Sequence, residues 1–290
     1  MTVEGIPFSA LVREVTAPRA VVVALHGGGS DVGYFDAQLD RRLSLFDVAA
    51  ALGFTVVALN RPGYGSSHGH AAELGDPERR TSLAWSAVDA LLAGLPRGAG
   101  SFLMAHSMGC TLGVRMAATA SGAGLLGLEL SGIGLRQDPR SLRVLARLDP
   151  SAPRRGSVPA GLRDVIWGPE HLYPEGTFAD GVPPSAPVPW FEGDDATRWP
   201  AQFPALAARV TVPVRYSLGD HECWWRPGPQ GLAEVATLFT AAPRVVTDEQ
   251  AFGGHNLSLG LTATAYHLKV LAFAEECIVA QQLGSPVRQE

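Results

Sequence analysis

Short, unbroken apolar runs that alternate with helical patterns set the strongest limit on how this chain can fold. They occupy residues 20–25, 54–59, 102–104, 124–130 and 212–218. Continuous apolar runs of this length suit strands covered on both faces. Their alternation with helices from residue 20 onward predicts an α/β fold, a mostly parallel sheet with helices on both faces. In such sheets ligands lie at the carboxyl ends of the strands. His26, Asn60, Ser107 and Ser131 fall at those ends. Residues 3–15 alternate loosely before Pro18 and read as a hairpin or edge strands.

Among these ends, the one at Ser107 is the most informative. The run 102–104 breaks into small residues, and residues 111–119 read as a helix, so Ser107 occupies a tight strand-to-helix turn. Residues two before and two after such a serine must be small, because strand and helix nearly touch; here they are Ala105 and Gly109. The turn exposes the hydroxyl and aims the first helix N–H groups at whatever the serine attacks. The alternative reading is a serine that simply caps a helix after a strand.

The five residues 105–109 resemble the nucleophile elbow of the α/β-hydrolase superfamily, with alanine where the motif Gly-x-Ser-x-Gly begins with glycine. Three further stretches, in the family's order, carry the resemblance. The run 20–25 ends in His26-Gly27-Gly28-Gly29. In the family this loop supplies oxyanion donors, which implies the backbone N–H groups of Gly28 and Met108, with Gly27 as an additional donor. His26 is expected to brace that loop. The run 54–59 leads into Asn60-Arg61-Pro62-Gly63-Tyr64-Gly65, similar to a family loop that begins with aspartate; its expected role is structural. Residues 212–218 end in Gly219-Asp220-His221-Glu222, where the family keeps its catalytic acid. The family wording Gly-x-x-Asp implies Glu222, with Asp220 as the alternative and Asp138 in reserve. His255, in a glycine loop before the terminal helix (262–282), stands where the family keeps its base.

From 136 to 208 the character changes: the stretch holds twelve of the 22 prolines, with Trp167, Trp190 and Trp199. So many aromatics argue against a disordered linker. The expectation is one α/β-hydrolase domain over 1–290 with a cap inserted at 136–208, its three tryptophans walling an apolar pocket over Ser107. Arg136, Arg140, Arg143 and Arg147 recur at helical spacing, which reads as a solvated face or as a dock for an acyl carrier protein.

A net charge of −5 without a dense Lys/Arg run argues against nucleic acid or membrane as the main partner. No basic segment followed by an apolar run opens the chain, and a cytoplasmic protein is expected. Three scattered cysteines support neither a disulfide framework nor a metal site. No metal or organic cofactor is implied, since no phosphate-binding or dinucleotide motif follows a strand. The resemblance implies a serine esterase or thioesterase acting on a small-molecule acyl substrate. Acyl transfer on carrier-bound chains, a non-hydrolytic cyclase or lyase, and a non-catalytic receptor stand as alternatives, because the fold hosts them all.

Overall fold

A computed structural model of the chain describes residues 1–147, 161–178 and 185–284. A small antiparallel pair, β1 (Thr2–Val3) and β2 (Ile6–Pro7), precedes an edge strand, β3 (Ala10–Arg13). The buried runs then become β4 (Val21–Leu25), β5 (Thr55–Leu59), β6 (Ser101–His106), β7 (Gly127–Ser131) and β8 (Val214–Gly219), followed by β9 (Val245–Gln250). They form one seven-stranded sheet in the order β3-β5-β4-β6-β7-β8-β9, with β3 antiparallel to β5 and every other pairing parallel.

Helices connect the strands: α1 (Leu45–Ala51), α2 (Pro77–Leu92), α3 (Met108–Ala117), α4 (Pro139–Leu145), α5 (Leu162–Trp167), α6 (Glu192–Ala207), α7 (Gly228–Ala236) and α8 (Ala263–Gln282). Because side chains alternate along a strand, each central strand feeds two cores. Val21, Val23, Leu103 and Ala105 meet Leu83, Val114, Phe203 and Val235 from α2, α3, α6 and α7. On the opposite face Val22, Ala24, Phe102 and Met104 meet Phe46 of α1 and Val270 and Ala274 of α8. This double burial is why the strands read as continuous apolar runs.

Local chemistry sets some boundaries. Asp40 caps a separate turn at Arg41–Leu43, and Ser44 is extended before α1 begins. Pro229 stands in the first turn of α7, where its missing N–H costs no helix bond, and the helix ends at Ala236. Between β7 and β8 the described residues contain helices and turns but no strand. Parts of the expected insertion, 148–160 and 179–184, lie outside the described residues.

The strand order positions the site. The chain leaves β4 toward β5 on one side and returns to β6 on the other, so a switch-point crevice opens at the carboxyl ends of β4 and β6. The residues that follow these two strands are His26 and Ser107. Among the described residues, no helix is long and apolar enough to cross a membrane.

Candidate active site

At the end of β6 the chain turns into α3 on a single residue. Ser107 has φ 49° and ψ −122°, a conformation that strains any residue with a Cβ. Its N–H donates to the Ser131 carbonyl and its own carbonyl accepts from Cys110 N–H, both at 2.8 Å. Gly109 lies so close to β4 that a Cβ there would fall 2.5 Å from the carbonyl oxygens of Leu25 and His26. At the other small position the structure explains the departure from the family motif. The Ala105 methyl faces Gly113 of α3, where an added Cβ would lie 3.0 Å away; the strand keeps a methyl because the helix has none.

Ser107 meets two other predicted residues. His255 Nε2 lies 2.9 Å from Ser107 Oγ, while its Nδ1 lies 2.8 Å from Glu222 Oε2. A carboxylate only accepts, so the proton is assigned to Nδ1, and Nε2 is left to accept from the serine hydroxyl. Glu222 is fully buried. Its Oε1 also accepts from the backbone N–H groups of Cys223 at 3.0 Å and Trp224 at 2.7 Å, which offset the cost of desolvating the anion.

The other two carboxylates face elsewhere. Asp220 accepts from the N–H groups of Phe252 and Gly253, each at 3.0 Å, and pairs with His221. Burial opposes its charge, but these donors hold its carboxyl below the usual range. It thereby ties the end of β8 to the loop that carries His255. Asp138 caps α4 through Arg140 N–H at 2.8 Å and also binds the Arg140 side chain.

Gly27 and Gly28 line the opposite wall. A Cβ at Gly27 would lie 3.2 Å from Ser107 Cβ, and one at Gly28 would lie 3.1 Å from Met108 Cγ. The Met108 N–H belongs to the first turn of α3, where no intrahelical carbonyl is available to it. His26 Nε2 accepts the Arg61 N–H at 3.2 Å, so His26 Nδ1–H donates to the Gly27 carbonyl at 2.8 Å. Burial first, and then the Arg61 charge, push the His26 pKa well below its ordinary value. It is a neutral brace. His106 is held neutral in the same way by burial and by His255, and stacks on Tyr34 with ring centroids 4.5 Å apart.

Two expectations need correction. The three tryptophans do not form one wall over Ser107. Trp199 is core: its ring stacks on Phe203 at 4.3 Å and its indole N–H donates to the Gly134 carbonyl. Trp190 is 63% exposed and donates to the Ala71 carbonyl. Trp167 alone of the three adjoins the site, packing against Tyr173 beside Gly254. Nor do the four arginines form one stripe. Arg136 pairs with Glu234, Arg140 with Asp138 and the Glu222 carbonyl, and α4 ends at Leu145, before Arg147.

Cys110 donates its thiol to the Ala105 and Ser131 carbonyls, and burial pushes its pKa well above the ordinary value; it braces the elbow. What sequence reasoning missed is the set Arg61, Tyr64 and Glu192, which packs behind the Gly27–Gly29 loop. Arg61 and Tyr64 were legible only as loop residues, and nothing in the sequence near Glu192 sets it apart from other surface glutamates. Among the described residues, no group of three or more His, Cys, Asp or Glu side chains could hold a metal ion.

A family model described as the alpha/beta hydrolase family matches residues 22–265. Similar solved structures include a monoglyceride lipase from Saccharomyces cerevisiae bound to a substrate analogue (TM-score 0.64, 14% identity, covering 96% of this chain and 94% of that one). A thioesterase domain from the curacin biosynthetic pathway gives TM-score 0.59 at 21% identity, covering 93% and 97%. A protein that recognises and ring-cleaves the Pseudomonas quinolone signal gives 0.66 at 15%, covering 96% and 98%. At such identities the likeness is one of fold. A search of curated protein sequences returned no match.

Proposed function

The chain belongs to the alpha/beta hydrolase family, and on that premise we propose that it is a serine hydrolase that cleaves an ester or thioester of a hydrophobic acyl group. One observation carries the reading: a serine at positive φ on a strand-to-helix turn, 2.9 Å from an imidazole whose far nitrogen meets a buried carboxylate. Ser107 Oγ attacks the acyl carbon while its proton passes to His255 Nε2. Glu222 keeps the imidazole in the competent tautomer and balances the imidazolium that forms. As the bond to the leaving group breaks, His255 returns the proton to the departing oxygen or sulfur. Water, deprotonated by the same nitrogen, then releases the acid and restores Ser107. The developing oxyanion is held by the N–H groups of Met108 and Gly28, with Gly27 as an additional donor. Of the stretch between β7 and β8, residues 161–178 lie beside this site, and their Trp167–Tyr173–Phe178 cluster near the His255 loop supplies an apolar face for the acyl chain.

Labelling with a fluorophosphonate probe, followed by p-nitrophenyl esters and acyl thioesters of graded chain length, tests the proposal. The wild type takes the label and prefers apolar acyl chains. Ser107→Ala takes no label and loses about a thousandfold or more in turnover. An alanine variant that turns over normally would remove the acyl-enzyme from the mechanism; a wild type that never labels would remove the hydrolase reading altogether.

A further inference from the structure

Three buried polar side chains with no part in the proposed proton transfers meet behind the Gly27–Gly29 loop. Arg61 and Tyr64 come from the loop after β5, and Glu192 is the first residue of α6. Arg61 and Glu192 are each 4% exposed and pair at 2.6 Å. The Tyr64 hydroxyl donates to Glu192 Oε2 at 2.7 Å and accepts from Gly29 N–H at 2.9 Å. Arg61 lies over the Tyr64 ring and donates Nη2–H to the Gly27 carbonyl at 2.9 Å. A buried ion pair is a weak source of stability, because desolvating two charges offsets most of their attraction. Its geometric effect is larger.

The peptide joining Gly27 to Gly28 is planar and trans, so its C=O and N–H point in opposite directions. Two donors, His26 Nδ1–H and Arg61 Nη2–H, hold the Gly27 oxygen on the buried side. The Gly28 N–H is thereby turned to the opposite side of the peptide plane, in a loop that packs on the nucleophile turn, where a Cβ at Gly27 would meet Ser107 Cβ at 3.2 Å. Glycine offers little resistance to rotation of this plane. If the peptide flipped, a carbonyl would face the developing oxyanion in place of an N–H, and attraction would become repulsion. Glu192 also crowds the loop directly, since a Cβ on Gly28 would fall 2.9 Å from its Oε2, on the side where it would also meet Met108 Cγ at 3.1 Å.

We infer that Arg61, clamped by Glu192 and Tyr64, is a positioning residue that holds the Gly27–Gly28 peptide with its N–H toward Ser107, so that the oxyanion hole is set only while α6 is docked. This deepens the serine-hydrolase reading and rests on it. The sheet supplies the nucleophile and base, while a helix from the stretch between β7 and β8 supplies the carboxylate that fixes an oxyanion donor.

The test uses the full chain, p-nitrophenyl butyrate, phenylboronic acid and the fluorophosphonate probe. The double variant Arg61→Met with Glu192→Gln removes both buried charges together, a change that cores tolerate better than loss of one partner. Its kcat falls by about ten- to a hundredfold while KM stays within about threefold, a smaller loss than deleting a donor outright. Affinity for phenylboronic acid, whose tetrahedral adduct places an oxygen in the hole, falls in parallel. Tyr64→Phe gives a milder loss of the same kind. Asp195→Asn serves as the control, since Asp195 anchors α6 through Arg80 and touches nothing in the 27–29 loop; the amide oxygen still accepts from Arg80, and kcat stays within about twofold. A folded double variant with wild-type kcat and boronate affinity overturns the inference, and so do equal losses in Asp195→Asn, which would reduce the effect to helix docking. A wild type that takes no label overturns the hydrolase reading itself, a separate failure.

Discussion

Glu222 and Asp220 stand two positions apart at the end of β8, yet only Glu222 reaches His255 Nδ1. In Glu222→Gln the amide N–H₂ faces Nδ1 and drives the proton to Nε2, the wrong tautomer for accepting from Ser107. Turnover on an ester falls by about a thousand- to ten-thousandfold with the fold intact by circular dichroism. Asp220→Asn keeps an acceptor for the two loop N–H groups, and its turnover stays within about tenfold of wild type. The reverse ranking would move the acid to Asp220. The elbow offers a second test at this scale. Gly113→Ala gains helix propensity but forces two methyl groups to the 3.0 Å contact described above. It destabilises by about 1–2 kcal/mol in urea unfolding. Adding Ala105→Gly relieves the contact, so the double-mutant cycle shows coupling of at least about 1 kcal/mol. Additive effects would mean that the pair does not compensate.

Helix α6 links the core to the loop beside Ser107. Trp199 and Phe203 on one face enter the core, Glu192 reaches Arg61 beside the Gly27–Gly29 loop, and Asp195 and Gln202 meet Arg80 and Arg115. Burial of its apolar face, with these partly buried polar contacts added, holds the helix down. Trp199→Ala removes a 1% exposed ring and costs about 3–5 kcal/mol. Trp190→Ala, at 63% exposure, costs less than about 1 kcal/mol. Chemical denaturation of both variants checks the ranking. Equal costs would place Trp190 in the core and refute the docking described above.

For the whole molecule, buried histidines set the acid limit of stability. His26, His106 and His267 are all buried, and burial is the leading cause that lowers each pKa, that of His267 to about 3. The unfolded chain takes up protons at these sites near pH 6.5 while the folded chain does not, so it binds more protons and stability rises with pH. The folded state is therefore at full strength above about pH 6.5 and loses up to about 1.4 kcal/mol per histidine for each unit below it. Asp138 and Asp220, whose folded pKa values are lowered, add their losses only as pH falls below about 4. Urea midpoints at pH 7, 6 and 5 should decline in that order, and His267→Gln should flatten the slope. Midpoints that hold level from pH 7 to pH 5 would contradict the neutral burial of these rings.

Whatever depends on neighbours in the chain was legible in the sequence. Continuous apolar runs announced strands covered on both faces, small residues around Ser107 announced a strand-to-helix turn, and glycines after residue 25 announced a loop that a substrate can approach. These follow from local sterics and periodicity, which a few consecutive residues carry in full. The tertiary structure alone decided the rest. Which of two carboxylates meets His255 depends on how the turn after Gly219 is steered by N–H donors from residues 252 and 253. Whether Trp199 is a pocket wall or a core residue depends on which face of α6 lands on the sheet. The clamp between Tyr64 and Glu192 joins positions 128 residues apart. No local period encodes it, because the partner of a buried charge is set by which elements the fold brings together.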